Sequence, residues 1–428
     1  MHDQKPASAA STRTEYAVIG GISINAANEL PRGTAGTSPY EYLPWDFPEF
    51  ERDPYPWYAR VLAEAPVLYD DHAANYVVSR YDDLMTFGKA SSMSVEPGWD
   101  KAGPWSVASS TIIGRDLPDH TRLRRQTNRW FTPKVVRDWV ATTSATVNEV
   151  LDSAASSNRI DGWLDLSVRP THTTMCRILQ VPDDGAVEVM ENIADTMPML
   201  AARPRPGSVE QAARGFTFLT DRVDRLIADK RAIPGDGLVD ALVNAQSRGE
   251  ISEEEMRATV VMLYSLGHMD VGYIIAAGLH IFTQLPEVFH SYRTNPEFRD
   301  MIVNEIVRYD PPELSFYRTC LTDVTIRGVD IPAGSSIRFL LAAANRDPNF
   351  FDSPHQFRFD RPMDHSRNLS FGLGPHSCAG QVISRAQARA VYDALATRYS
   401  RISLAAPIVM ENTDFSRHFK TLELHLEP

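Results

Sequence analysis

The sequence predicts a mainly α-helical protein with a small β region. Three observations carry this expectation. The middle of the chain reads as helical runs separated by Pro and Gly breaks, as in MPMLAARPRPGS (197–208). Between Ser252 and Pro286 a helical apolar pattern persists for more than 30 residues, about 50 Å at 1.5 Å per residue. Strand-like runs are short: PVLYD and NYVVSR early in the chain, then VTIRGVDIP, SSIRFLLA and TLELHLE toward the C-terminus.

Taken in order, residues 1–40 are rich in Ala, Ser, Thr and Gly and are expected to form a flexible arm preceding a body that spans 41–428. LPWDFPEFERDPYPWY (43–58) is dense in Pro and aromatic residues and leads into a helical pattern, WYARVLAEAP. From Gly88 to Pro118 the sequence reads as a long loop carrying Trp99 and Trp105, and loops that long commonly serve as lids or binding loops. The long helix opens with a capping box, Ser252 and Glu255, whose side chains take up orphan N–H groups, and Pro286 stops it. Because it is apolar nearly all round, it should run through the middle of the protein. Gly267, His268, Met269 and Asp270 lie within it; an acid there is costly unless paired, hydrated or functional.

Composition bounds the function. The 428 residues are 43% hydrophobic and 23% charged, with a formal net charge of −12. Such a chain can bury a large core, which excludes collagen-like, fibrous and wholly disordered classes, and length alone suggests two or three domains. Its acidity disfavours nucleic acid as a partner, since that binding needs positive charge against phosphates. Three cysteines, Cys176, Cys320 and Cys378, cannot build a disulfide framework, and none sits in a C-x-x-C pair. That usage fits a reducing cytoplasm. The N-terminus lacks the apolar stretch of a secretory signal, and no uninterrupted apolar run approaches the ~20 residues of a membrane span. The expectation is a cytoplasmic enzyme without a membrane or nucleic-acid partner.

The strongest chemical signal is FGLGPHSCAG (371–380), followed by the helical run QVISRAQARAVYDAL. Its glycines let a backbone approach a flat ligand, and a Cys near a helix N-terminus is easily ionised. A thiolate is a soft, electron-donating metal ligand; a buried inert Cys in a turn is the alternative on spacing alone. The segment resembles the cysteine loop of the cytochrome P450 superfamily, F-G-x-G-x-H-x-C-x-G, at every fixed position. The resemblance implies that fold, with haem b held between a long distal helix and the proximal cysteine loop, in one catalytic domain. It implies Cys378 as the iron's axial thiolate, with Phe371 near the sulfur and Gly380 in the loop. Glu305-Ile306-Val307-Arg308 is similar to the family's E-x-x-R, and Arg361 falls where the family closes that network. DLPDHTRLRR (116–125) resembles the segment whose His and Arg, here His120 and Arg124, hold the haem propionates, with Arg318 and His376 as further contacts. Arg122, Arg125 and Arg129 read either as a solvated face or as a basic patch for an acidic ferredoxin-type electron donor, itself served by a reductase.

The distal helix departs from the family. Leu266-Gly267-His268-Met269-Asp270-Val271 aligns with [AG]-G-x-[DE]-T-[TS]. Gly267 is kept beside the cofactor, the acid becomes Met269 and the threonine becomes Asp270. In the family that acid–alcohol pair supplies protons for O–O cleavage. Methionine cannot; Asp270 can, and His268 is a second titratable candidate unless it is simply a packing residue. Two readings follow. One is a monooxygenase that inserts one oxygen atom of O2 into a small organic substrate, aromatic or a natural product, by hydroxylation or O-dealkylation. The other is a haem-thiolate enzyme of cyclisation, rearrangement, coupling or group transfer on a pre-oxidised substrate. A non-catalytic haem sensor is disfavoured. Candidate substrate contacts are Trp99, Trp105, Leu266, Glu313, Phe316 and Phe415. Glu313, unusual where apolar side chains normally face the substrate, reads as a site for a cationic or donor group or as a solvent-facing acid, and Phe316 and Phe415 as aromatic walls or as core.

Overall fold

A computed structural model describes residues 42–99, 103–362 and 366–428. The arm expected over 1–40 lies outside the described residues.

The long helix is Glu253–Gln284, 32 residues, and both of its signals are realised. Ser252 Oγ accepts from Glu255 N at 3.1 Å, and Glu255 Oε2 accepts from Ser252 N at 2.8 Å. Pro286 begins the next helix, Pro286–Thr294. The long helix has the length and composition to cross a membrane, yet it is a core element, buried against Arg169–Leu179, Ser208–Ala232 and Gln381–Arg398. A close contact fixes the last of these. The Tyr392 hydroxyl donates toward Ile274 O at 2.8 Å and Ile275 O at 3.0 Å. A Cβ on Gly278 would stand 2.1 Å from that hydroxyl, so only glycine lets the two helices meet there.

The β structure is minor and assembled from distant segments. Val67–Asp70 pairs antiparallel with Asn75–Val78, which runs parallel to Ser336–Phe339. Ser336–Phe339 pairs in turn with Phe316–Cys320, and Met93–Ser94 closes that edge. VTIRGVDIP forms a hairpin, Val324–Ile326 against Val329–Ile331, turning at Arg327 and Gly328 with φ of 49° and 82°. Glu423–Glu427 lies between Arg159–Asp161 and Arg401–Leu404.

The region expected to be a long loop, 88–118, is more structured than its sequence suggests. It contains the strand Met93–Ser94, a short helix Glu96–Trp99 and a 3-10 segment Gly103–Ser110. Trp105 accounts for part of this: its ring packs edge-on to Phe216 at 5.1 Å and Nε1 donates to Thr196 O at 2.7 Å.

Candidate active site

The cysteine loop is held by a buried ionic network on the helix Arg299–Tyr309. Glu305 accepts from Arg308 Nε and Nη2, both at 2.7 Å, and from Arg361 Nε at 3.2 Å. It also takes the Arg358 N–H at 2.8 Å. Arg361 therefore closes the network, as the family pattern implies. Arg308 also donates to Asn345 O at 2.7 Å. Asn345 in turn accepts from Leu369 N at 2.7 Å and donates to Ser370 Oγ at 2.8 Å, while Ser370 donates to Val307 O at 2.8 Å. The chain is thus pinned just before Phe371.

Beyond Phe371 the backbone turns sharply, with Gly372 and Gly374 at φ of 71° and 60°, a region that disfavours other residues. Cys378 N donates to Phe371 O at 2.7 Å, and Gly380 N donates to the Cys378 sulfur at 3.3 Å. The helix Gln381–Arg398 follows. Cys378 keeps accessible surface although it sits deep in the protein, so its sulfur faces interior space. The expectation of an easily ionised thiol is not met in the protein alone. Desolvation lifts Cys378 to about 11, aided by the Asp270 and Glu313 charges, and outweighs the Gly380 N–H and Arg124, which pull it down. Phe371 is half-buried, with the Arg385 guanidinium 4.3 Å from its ring centre.

The long helix presents one stripe to the same interior. Leu263, Leu266, Gly267 and Asp270 are only partly buried while their neighbours are fully buried, and spacings of 3, 1 and 3 define one helical face. Met269 is 3% exposed and belongs to the main core. His268 is also turned away. It is fully buried, Nε2 lies 3.1 Å from His172 Nδ1, and Nδ1 lies 2.5 Å from Tyr264 O. Burial, reinforced by His172, drives its pKa down to about 3. Of the three distal candidates, only Asp270 faces the sulfur's side. Gly267 has a packing reason as well, since a Cβ there would lie 2.6 Å from Met175.

Asp270 and Glu313 share this interior, and their charges bear on one another and on Cys378. Desolvation raises both carboxyls above the ordinary range, and Asp270 adds to the rise at Glu313. Glu313 is placed by an isolated bridge to Ser416 and by Leu314 N donating to Phe415 O at 2.8 Å.

Cationic and imidazole groups gather at one edge. His120 is buried, and neither of its ring nitrogens has a partner. Its ring centre is 4.5 Å from that of His376, whose Nδ1 lies 3.1 Å from Ile112 O. His376 is lowered to about 4 by burial, then by Arg318 and His120. Arg318 is lowered to about 10 by burial; its hydrogen bond is to Tyr317 O, at 2.7 Å. A cleft of about 310 Å³ opens here between His120, Arg124, Arg125 and Pro375.

The remaining candidates divide. Arg122 is not a free patch residue: it grips Glu255 at 2.5 Å and Asp119 at 3.0 Å, tying its helix to the long helix. Arg129 lies over Trp130, and Arg124 donates to Asn128 at 3.1 Å, leaving Arg125 as the exposed member without such a contact. Trp105 is a core anchor. Phe415 is 8% exposed and stacks on Tyr317 at 6.4 Å, whereas Phe316 is half-buried and stacks on Phe339 at 5.1 Å. Trp99 ends its short helix, and its side chain is outside the described residues. Leu263 completes the stripe and was not singled out in the sequence; counting back seven positions from Asp270 would have found it.

Comparison with known proteins agrees with this geometry. The family model for Cytochrome P450 matches residues 287–401. The chain is 28% identical over 398 residues to cytochrome P450 CYP199A2 of Rhodopseudomonas palustris, covering 89% of this chain and 92% of that one. It is 26% identical over 378 residues to the polyketide biosynthesis cytochrome P450 PksS of Bacillus subtilis, covering 83% and 91%. The crystal structure of CalO2 superposes with a TM-score of 0.81 at 26% identity, covering 89% of this chain and 98% of that one. The chain belongs to the cytochrome P450 superfamily and is a haem-thiolate oxidoreductase.

Proposed function

We propose that this chain is a haem b monooxygenase inserting one oxygen atom of O2 into a small organic substrate, by hydroxylation or O-dealkylation. The reading rests above all on a deep but accessible Cys378 sulfur that shares its interior with a carboxyl on the distal helix. The residues fit the cofactor. Cys378 would ligate the iron, whose positive charge would keep the thiol deprotonated where burial alone would not. Gly380 N–H donates to the sulfur, and Phe371 and Gly267 would lie against the cofactor. His120, Arg124, Arg318 and His376 would receive the propionates; the unpartnered His120 nitrogens and the sparsely bonded Arg318 leave donors for them. When bound, the haem would supply reductive activation of O2, promoted by the electron-donating sulfur of Cys378.

Asp270 does the work of the missing acid–alcohol pair. Its desolvated setting raises it to about 7, so a protonated fraction persists near neutrality and donates a proton on the distal side, directly or through one water. Leu263, Leu266 and Phe316 exclude bulk water and shape the substrate space. Residues 41–428 act as one catalytic domain in the cytoplasm. Arg125 and Arg129 form what remains of a docking patch for an acidic ferredoxin-type donor with its reductase. The likeness to a polyketide-pathway relative supports a natural-product substrate.

The test is simultaneous measurement of oxygen uptake and product with a reducing electron-donor system. One O2 consumed per oxygenated product is expected. Full product formation without oxygen uptake would replace this reading with group transfer or coupling on a pre-oxidised substrate.

A further inference from the structure

We propose that Arg385 is a positioning residue that holds an unneutralised positive charge against the cysteine loop through Phe371 and thereby favours the reduced cofactor. The inference rests on the haem-thiolate reading above and adds a residue that sets how readily the bound haem takes an electron. The helix Gln381–Arg398 carries three basic side chains. Arg389 pairs with Asp300 and, at 3.4 Å, with Asp393, and Arg398 pairs with Asp152 at 2.5 Å. Arg385, half-buried and the closest of the three to Cys378 in sequence, is bonded differently. Among the described residues its hydrogen-bond partners are both neutral: Asn304 Oδ1 at 3.2 Å and Gln381 Oε1 at 3.4 Å. Its guanidinium carbon stands 4.3 Å from the centre of the Phe371 ring. Asn304 is fixed in turn, donating to Ser366 O at 2.9 Å and accepting from Asn368 at 3.0 Å.

The guanidinium is therefore held from three sides: by the helix Arg299–Tyr309, by the first turn of its own helix and by the ring of the loop. The loop contact leads to the ligand, because Phe371 O accepts from Cys378 N at 2.7 Å. Arginine stays charged in such a setting and lies well on an aromatic face. Burial works against its charge, and the Cys378 sulfur, ahead of Asp300, favours it. When the iron takes one electron from the donor, the thiolate stays bound and the iron–sulfur unit gains one negative charge. A fixed cation beside the loop stabilises that reduced form, the more so where water is excluded. A carboxylate partner would cancel the effect; Asn304 and Gln381 hold the guanidinium in place without cancelling it.

The test uses substrate-free holoenzyme and reads the ferric–ferrous equilibrium by dithionite titration with redox dyes, for wild type, Arg385→Gln and Arg385→Lys. Arg385→Gln should make reduction about tenfold less favourable, a fall of about 59 mV for a one-electron couple. Arg385→Lys returns the charge without the planar stack and should recover most of that fall. Both variants should keep the thiolate-type carbon monoxide band, which certifies an intact loop. A wild-type equilibrium in the Gln variant would overturn the proposal by removing the charge effect. An equal fall in the Lys variant, or loss of the band in either, would overturn it by leaving Arg385 a merely structural part. A wild-type protein lacking a thiolate-type carbon monoxide spectrum would instead sink the underlying reading, so the two failures are distinguishable.

Discussion

Replacing Glu305 with Gln removes the negative centre of the buried network and tests whether that network carries the cysteine loop. The carboxylate accepts from Arg308 twice at 2.7 Å, from Arg361 at 3.2 Å and from Arg358 N at 2.8 Å. The amide keeps one acceptor, presents N–H donors to other donors, and leaves two buried guanidinium charges unneutralised. Breaking a buried ion pair from one side costs about 3–5 kcal/mol. Here the lower end applies, because each arginine keeps carbonyl acceptors: Arg308 on Asn345 and Pro354, Arg361 on Asp352 and Ser353. A loss of about 3 kcal/mol is a large share of the 5–15 kcal/mol that stabilises a typical domain. With a urea slope of about 3 kcal/mol/M the unfolding midpoint, followed by tryptophan fluorescence, should fall by about 1 M. Because Arg308 reaches Leu369 and Ser370 through Asn345, the same variant should retain less haem than wild type when both are purified in parallel. An unchanged midpoint with full haem content would refute the idea that this network positions the loop.

Other perturbations probe the distal side, the helix core and the cofactor edge. Asp270 binds its proton more tightly in the folded chain than in the unfolded one, so the stability it contributes is present below the ordinary carboxylate value near 4 and is lost as pH rises through its raised value. Asp270→Asn should therefore match wild type in thermal unfolding at about pH 4 and exceed it at about pH 9, while forming less product per O2 and losing the alkaline fall in turnover. Wild-type product yield in the Asn variant would count against proton donation. Gly278→Ala must displace the Tyr392 hydroxyl from both its carbonyl partners, which should cost about 3 kcal/mol in denaturant unfolding. Arg318→Gln should speed haem transfer to an excess of a competing haem-binding protein by about tenfold, equivalent to about 1.4 kcal/mol; an unchanged rate removes Arg318 from the cofactor edge.

Local signals were legible and three-dimensional facing was not. The long helix could be read from its capping box and from Pro286 because both act within one turn of the residues they govern. The cysteine loop and the closure of the Glu305 network by Arg361 were legible from motif order. Which side of the long helix meets the sulfur was not, since a run apolar all round carries no stripe to read. His268 accordingly stood as a second titratable candidate beside Asp270 and Met269 as the replaced acid, yet both are turned into the core, His268 by His172 and Tyr264 and Met269 by its apolar neighbours. Arg122 looked like a docking residue because nothing nearby in sequence announces Glu255, 133 positions away. The early strands could be named, but their parallel pairing with Ser336–Phe339 depends on contacts no local pattern encodes. Trp105 illustrates the same limit: an aromatic residue in an apparent loop is equally suited to a substrate or to Phe216, and packing decided for Phe216.

The account stands on the Cys378 sulfur as an axial ligand. Its most direct test is the absorption spectrum of the dithionite-reduced, carbon-monoxide-bound protein, recorded for wild type and for Cys378→Ser. Wild type should show the red-shifted band of a thiolate trans to carbon monoxide, and the serine variant should bind haem without it. A wild-type spectrum lacking that shift, or a serine variant that keeps it, would contradict the assignment.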